Sequence, residues 1–140
     1  MISPQQIKVL VKELSDASQE QSKRLISNYF RTLADVMNSV DELRENFNDY
    51  DDIYQIALED IELEGWFQIK HGSITYQEGS NEEYDLKFRM SKELLLKIIT
   101  LETMPFDAYM KGQIKVKGDI SYTIRFRNFI NDVIEYISKA

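Results

Sequence analysis

The sequence contains no cysteine among its 140 residues. Disulfides, thiol nucleophiles and cysteine-based zinc sites are therefore excluded. It also lacks an N-terminal basic region followed by a long apolar run, and its longest apolar runs, such as residues 94–96, are far too short to span a bilayer. We therefore expect a soluble cytoplasmic protein without a signal peptide.

Basic residues are also in short supply. The chain has 17 basic and 24 acidic residues, for a formal net charge of −7. Nucleic acids and anionic membranes attract net basic surfaces, so we expect no nucleic-acid partner and at most transient membrane contact. The imbalance is uneven, because residues 41–64 hold ten acids and one base whereas residues 108–128 hold five bases and one acid. Each cluster taken alone is typical of solvated surface.

Patterns of catalytic or metal-binding residues are scarce. The single histidine, His71, lies in a predicted hairpin turn, and Ser91 is not flanked by the glycines of a hydrolase nucleophile elbow. Residues 48–52, NDYDD, resemble a calcium loop superficially but lack the glycine and the closing glutamate of an EF-hand. We interpret this stretch as a polar turn in which water solvates Asp51 and Asp52. We expect no catalytic residue, no metal and no cofactor.

Apolar spacing predicts two helices at the start of the chain, at about 4–14 and about 20–46. The apolar positions of the second helix also fit a heptad seam, over about three heptads. That length does not distinguish a coiled coil from an amphipathic helix docked on a sheet. We interpret it as a helix docked within its own chain.

From residue 53 the pattern changes to that of a sheet. Alternating or β-branched residues predict strands at 53–58, 65–69, 73–76 and 84–90. Ser91 is expected to cap a short helix, and another helical turn is expected at 105–111. Because most strands are joined by short turns, we expect an α+β fold with a largely antiparallel sheet.

Residues 112–126 permit two interpretations. Gly118 and Asp119 suit a two-residue hairpin turn, because the residues on both sides alternate. Past Phe126, however, the apolar residues are spaced for a helix, and that helical face extends back toward Ile120. Asp119 then becomes the N-cap of the helix. We therefore predict an edge strand, a glycine corner and a capped helix.

Bulky apolar residues crowd the last third of the chain, on both sides of this segment. Such residues usually fill a core. Methionines and aromatic residues around short helices also line adaptable apolar cavities. Both arrangements need apolar walls, so the two alternatives stay open at this point.

Residues 105–119, PFDAYMKGQIKVKGD, resemble the C-terminal signature of the sterol carrier protein-2 family. That signature has a small residue and an aromatic, a glycine, a short alternating strand with lysines, and a second glycine followed by Asp or Asn. The apolar positions that follow also fit, with Thr123 where an alanine is common. The resemblance covers roughly residues 25–137 and leaves the first helix unexplained.

The resemblance implies a five-stranded, mostly antiparallel sheet covered on one face by helices. Residues 1–19 would form an N-terminal helical extension and residues 20–140 a lipid-binding domain. The implied function is non-catalytic binding and transfer of fatty acyl chains, sterols or related apolar ligands in a tunnel between the sheet and the C-terminal helices. The implied ligand-binding residues are Met104, Phe106, Tyr109, Met110, Ile114, Val116, Ile120, Ile124, Phe126, Phe129, Ile130 and Val133.

Two further hypotheses accompany this interpretation. The basic residues from Lys111 to Arg127 would steer anionic headgroups toward the tunnel entrance. The alternative function is an accessory or oligomerisation domain with a filled core, which docks on a partner enzyme or forms a homodimer through its N-terminal helices. A small enzyme that acts on an acylated substrate is the third candidate, and no polar cluster in the sequence supports it.

Overall fold

The computed structural model describes residues 4–138, and their side chains as far as residue 136. Five strands form one sheet: β1 (Asp51–Leu58), β2 (Leu63–Lys70), β3 (Ser73–Glu78), β4 (Leu86–Met90) and β5 (Lys115–Gly118). Their spatial order is β3-β2-β1-β4-β5, and every neighbouring pair is antiparallel except β1 with β4. The predicted five-stranded, mostly antiparallel sheet is confirmed.

The α-helices of the described residues are α1 (Pro4–Ser15), α2 (Gln19–Asn38), α3 (Asp41–Asn46), α4 (Lys92–Ile99), α5 (Pro105–Met110) and α6 (Thr123–Ser138). Ser91 caps α4 as predicted, since its side chain accepts a hydrogen bond from the Leu94 amide at 3.1 Å. Within residues 4–138, no helix is both long enough and apolar enough to cross a membrane.

One face of the sheet carries the hydrophobic core. Tyr54 on β1 lies opposite Phe67 on β2 and Leu86 on β4, and all three side chains are buried. Helix α2 covers β2 and β3, where the Phe30 ring lies 5.3 Å from the rings of both Phe67 and Tyr76. Aromatic rings at this distance interact favourably beyond the area that they bury.

The opposite face of the sheet is crossed by residues 79–85, which connect β3 to β4. Parallel pairing of β1 with β4 requires such a crossover. Gln55 on this face is fully buried because the crossover covers it. Its side chain donates to Ser80 Oγ at 3.2 Å and accepts from the Asn81 amide at 3.0 Å.

The prediction of one continuous helix over residues 20–46 is wrong, because α2 ends at Asn38 and α3 starts at Asp41. The Asn38 side chain donates to the Ile74 carbonyl at 2.6 Å and accepts from the Ile74 amide at 2.7 Å. These two bonds fix the end of α2 on β3. The Ser39 hydroxyl bonds back to the Val36 carbonyl at 2.6 Å, and the chain then changes direction.

The prediction for residues 112–126 is confirmed. Strand β5 pairs with β4 at the edge of the sheet, and Gly118 turns the chain with φ +130°. A Cβ atom at Gly118 would overlap the Asp85 carbonyl oxygen, so only glycine fits this corner. Asp119 then caps a 3₁₀ turn, Ile120–Tyr122, by accepting from the Ser121 amide at 2.9 Å, and α6 follows directly.

Helix α1 is joined to the rest of the fold at its C-terminal end. Leu14 is fully buried. The Lys92 ammonium at the start of α4 donates to the Leu14 carbonyl at 2.9 Å and to Ser22 Oγ at 3.2 Å. The contact places α1 beside α2 and α4.

Candidate functional site

The structure separates the twelve sequence-predicted ligand-binding residues by exposure. Three are buried in the core, namely Ile114, Phe129 and Val133. Three are half-buried, namely Val116, Phe126 and Ile130. The remaining six are exposed: Met104, Phe106, Tyr109, Met110, Ile120 and Ile124. The set therefore runs from the interior, beneath α6, out to the surface around α5.

The interior part of this set is filled by aromatic rings. The Phe126 ring lies 4.2 Å from the ring of Phe88 and 4.8 Å from the ring of Tyr54, measured between centroids. The Phe129 ring lies 5.1 Å from that of Phe47. Helix α6 thus packs on the sheet through its own aromatic residues.

The outer part is an exposed apolar surface. Eight large hydrophobic side chains of the described residues are exposed, and all except Val9 lie between residues 101 and 124. Ile120 and Ile124 are the most exposed, at 80% and 70%. We call this set the apolar surface; it consists of Leu101, Met104, Phe106, Tyr109, Met110, Ile120 and Ile124.

Helices α5 and α6 meet within this surface. The Arg127 guanidinium of α6 lies over the Phe106 ring of α5, with its Cζ atom 4.9 Å from the centroid. A cation over an aromatic face is a favourable contact. Ala108, on the inner side of α5, is fully buried and fixes the inner face of that helix.

An ion pair with a buried carboxylate fixes the first turn of α6 on the sheet. The Arg125 Nε atom lies 3.0 Å from Asp52 Oδ2, and its Nη2 atom lies 3.0 Å from Asp52 Oδ1. Tyr54 donates its hydroxyl to Asp52 Oδ2 at 2.5 Å. Because Arg125 and Phe126 face the sheet, the neighbouring Ile124 is directed away from it.

The interpretation of residues 48–52 as a wholly polar turn is wrong. Strand β1 already begins at Asp51, and Asp52 is 0% exposed, so water does not solvate its carboxylate. Alternation along β1 could have predicted this, because Asp52 stands two residues before the inward-facing Tyr54. The paired arginine is 73 residues away, and no local pattern identifies it.

Electrostatics and burial strengthen this anchor. Hydrogen bonds from the guanidinium to the Asp52 carboxylate raise the pKa of Arg125, which keeps it charged. Burial, and then the hydrogen bond to Asp52, raise the pKa of the Tyr54 hydroxyl. The Tyr50 hydroxyl donates a hydrogen bond to the Arg125 carbonyl at 2.9 Å, and the Tyr50 ring centroid lies 4.4 Å from the guanidinium carbon of Arg125. The network holds α6 in place and contains no nucleophile paired with a base.

Two surface depressions lie away from the predicted residues. One of about 310 Å³ is lined by residues 57–59 and 62–64. The other, of about 260 Å³, lies at the ends of α1 and α2 that adjoin each other, around Ala17 and Gln21. Among the described residues, no group of three or more His, Asp or Glu side chains is arranged to hold a metal ion.

Comparison with known proteins gives a family match. The model of the SCP-2 sterol transfer family matches residues 30–131. That range contains the whole sheet, α3 to α5 and half of α6, and it excludes α1. A search of curated proteins finds no match. The division into an extension, 1–19, and a lipid-binding domain, 20–140, stays a prediction.

Solved structures share the fold at low sequence identity. The apo form of sterol carrier protein 2 from Yarrowia lipolytica has a TM-score of 0.61 and 12% identity, over 80% of this chain and 91% of that one. The sterol carrier protein domain 2 of Helicoverpa armigera has a TM-score of 0.60 and 21% identity, over 76% and 85% of the two chains. The stereoselective inverting sec-alkylsulfatase Pisa1 from Pseudomonas sp. has a TM-score of 0.55 and 20% identity, over 63% of this chain. This chain corresponds to only 14% of that enzyme.

Proposed function

The chain belongs to the SCP-2 sterol transfer family, and from this premise we propose that it binds the apolar part of a lipid between the sheet and helices α5 and α6. The proposed ligands are fatty acyl chains, sterols or related molecules, and the protein carries them without chemical change. The ligand-binding residues are the twelve predicted from the sequence, from Met104 to Val133.

The observation that carries this proposal is the apolar surface. Seven exposed large hydrophobic side chains gathered in one segment are costly to hydrate. A lipid tail that enters between α5 and α6 would cover those side chains that lie at the entrance between the two helices. The half-buried Phe126 and Ile130 lie on the same helix as the exposed Ile124, which supports a path from the surface into the interior.

The energy balance supports opening of the aromatic interior. Burial of the roughly fifteen carbon groups of a long acyl chain contributes about 12 kcal/mol. The Phe126 ring contacts three other aromatic rings, those of Tyr54, Phe88 and Phe129. At about 0.5–1.5 kcal/mol each, the loss of these three ring contacts costs about 1.5–4.5 kcal/mol. The gain from a long acyl chain exceeds this loss, and the gain becomes smaller with each carbon group that is removed from the chain.

A titration with a fluorescent long-chain fatty acid, without vesicles, tests the proposal. We expect saturable uptake by the native protein, weakened about tenfold when Met110→Ser and Ile124→Ser are combined, since each removes apolar surface at the entrance that the tail passes. Both positions are exposed, so the fold should be retained. Val9→Ser is the matched control, because Val9 is exposed on α1, outside the apolar surface. No uptake of any lipid class by the native protein would refute the proposal.

A second candidate function is an accessory domain that docks on an enzyme. Aromatic rings fill the interior under α6, so a ligand would have to displace them in order to bind there. The match to a small part of a sulfatase also favours this candidate. This candidate predicts that the apolar surface binds a protein. It would replace the first proposal if the fatty acid titration showed no uptake while the Met110→Ser and Ile124→Ser variant lost binding to a co-purifying protein.

A further inference from the structure

The face of the sheet opposite α5 and α6 carries two cross-strand pairs of like charge. In the β4–β5 ladder Lys87 lies opposite Lys117. Arg89 lies opposite Lys115 in the same ladder. Successive side chains of a strand point to opposite faces, so these four cations lie on the face away from the buried Phe88. Lys115 and Lys117 therefore do not border the predicted entrance between α5 and α6.

The cations of β5 lack an anionic partner. Like charges directly opposite each other destabilise a sheet. On β4 they are compensated, because a glutamate oxygen lies 3.4 Å from Lys87 Nζ and another lies 3.7 Å from Arg89 Nε. On β5 they are not, because Lys115 and Lys117 are exposed and form no salt bridge within the described part of the chain.

Strand β5 also has a free edge. Among the described strands it pairs with β4 alone. The Asp119 amide donates to the Asp85 carbonyl at 2.9 Å, which makes these two residues a hydrogen-bonded pair. Such pairs alternate along an antiparallel ladder, so Lys117 and Lys115 turn their backbone groups toward β4. The amide and carbonyl of Val116 then point to the free edge, where another strand can bond to them.

A strand added at this edge would meet both cations and an apolar side chain. Its side chains on one face would lie beside Lys115 and Lys117, and the side chain between them would lie beside the half-buried Val116 on the other face. The two lysines are two residues apart, which is the side-chain period of a strand. A segment in which acidic residues alternate with an apolar one matches all three positions.

A broad anionic surface fits this edge less well. Three glutamates, Glu59, Glu62 and Glu64, line a depression at the neighbouring end of the sheet. The chain as a whole has a net charge of −7. A bilayer or a nucleic acid would meet these negative charges together with the lysines and be repelled by them. A single strand reaches the edge alone.

We infer that the free edge of β5 binds an extended acidic segment of a partner protein as an additional antiparallel strand. The carboxylates of the segment face Lys115 and Lys117, and its apolar residue exchanges two backbone hydrogen bonds with Val116. Lysines on an edge strand oppose pairing between copies of a chain. Here they also select a strand of opposite charge. The inference does not rest on the proposed lipid function.

Fluorescence anisotropy with a labelled peptide tests the inference on the full-length protein. The probe is a short peptide in which Glu and Val alternate, and it is compared with a peptide of the same composition whose glutamates form one block. We expect saturable binding of the alternating peptide, weaker binding of the block peptide, and release by salt. Lys115→Gln with Lys117→Gln should weaken binding of the alternating peptide roughly fivefold, because two cross-strand charge pairs are lost.

Charge reversal gives a sharper outcome. Lys115→Glu with Lys117→Glu turns both like-charge pairs with β4 into pairs of opposite charge, so the fold should be retained. This variant should lose the acidic peptide and bind a peptide in which Lys and Val alternate. The matched control is Lys8→Glu with Lys12→Glu on α1, where both lysines are exposed. The control should bind the acidic peptide as the native protein does.

N-methylation of the peptide distinguishes strand pairing from a purely ionic contact. In the antiparallel arrangement the valine opposite Val116 donates its amide to β5, whereas the glutamate amides face away. N-methyl groups on the valines should therefore abolish binding, and N-methyl groups on the glutamates should leave it unchanged. Hydrogen exchange at the Val116 amide should become slower when the unmodified peptide binds.

Several results would overturn the inference. The native protein could fail to bind the alternating peptide, or the charge-reversal and control variants could lose it equally. Equal binding of both N-methylated peptides would reduce the contact to an ionic one. Binding of an oligonucleotide or of vesicles with phosphatidylglycerol, removed by the charge reversal while the peptide does not bind, would assign the edge to another class of partner. Light scattering could also show self-association that the charge reversal abolishes, which would make the edge an interface between copies.

Discussion

Replacing Arg125 by methionine should destabilise the fold by about 3 kcal/mol, because it leaves a buried carboxylate without its cation. Asp52 is 1% exposed at its side chain, and Arg125 supplies both of its closest nitrogen contacts, each at 3.0 Å. Methionine keeps most of the apolar stem and removes the charge. The substitution therefore tests the ion pair more than the packing.

The magnitude follows from what remains around the carboxylate. Removal of one partner of a buried ion pair costs about 3–5 kcal/mol. The Arg125 side chain is 36% exposed, and Asp52 keeps two donors, the Tyr54 hydroxyl and the Asp51 amide. Both facts place the loss at the lower end, at about 3 kcal/mol. For a chain of this length that corresponds to a decrease in Tm of about 10 °C.

Urea unfolding followed by circular dichroism measures the loss directly. The matched control is Arg127→Met, two residues later on the same helix, where the guanidinium lies over the exposed Phe106 ring. That change should cost about 0.5–1 kcal/mol. A double-mutant cycle with Asp52→Asn then isolates the coupling between the two partners.

The reasoning is refuted if Arg125→Met and Arg127→Met destabilise the fold equally. It is also refuted if the cycle gives a coupling energy near zero, since Arg125 and Asp52 would then act independently. A large loss for Arg125→Met alone, with strong coupling to Asp52, supports the account that this pair holds α6 on β1.

Two further predictions concern the corner before α6 and a tyrosine of α2. Gly118→Ala should lower the free energy of unfolding in urea by roughly 3 kcal/mol or more, because the new Cβ would overlap the Asp85 carbonyl oxygen. Gly112→Ala is the control, and it should lower the free energy by only about 1–2 kcal/mol, because Gly112 has φ +75° but faces open space. Equal losses of stability in the two variants would contradict the close approach at Gly118. Burial raises the pKa of Tyr29 from 10.0 to about 12, so its contribution to stability is complete below pH 10 and is lost between pH 10 and 12. Urea unfolding at pH 10 and at pH 12 measures how much stability is lost between them. Tyr29→Phe should make that loss about 2–3 kcal/mol smaller than in the native protein, and an equal loss in both proteins would contradict the raised pKa of Tyr29.

The sequence predicted the sheet well because its signals are local. The alternation in 84–90 and the turn at His71 with Gly72 each depend on a few neighbouring residues; the turn lies where expected, and the strand begins two residues later, at Leu86. Residues 120–126 show why a longer window is needed, because their alternation alone favours a strand. The spacing beyond Phe126 and the cap at Asp119 identify the helix.

The errors arise where distant residues decide the outcome. Asn38 ends α2 because it meets the backbone of Ile74, which no pattern within α2 indicates. Asp52 is buried because Arg125 reaches it from the far end of the chain. Burial of a charge depends on such a partner, and the partner's position is a property of the whole fold.

The candidate site was predictable in composition and less so in arrangement. Apolar residues between 104 and 133 were identified from the sequence, but their division into core and surface was not. Phe129 and Ile124 are both apolar residues of one helix, and only the orientation set by Arg125 places the first inside and the second outside. The same orientation exposes Ile124 at the apolar surface on which the proposed function rests.

Native mass spectrometry of the gently purified protein, before and after incubation with several lipid classes, tests the central claim most directly. The account predicts the mass of the chain plus one lipid, released by organic extraction and identified as a molecule with a long acyl chain or a sterol skeleton. The mass of the bare chain under every condition would contradict it.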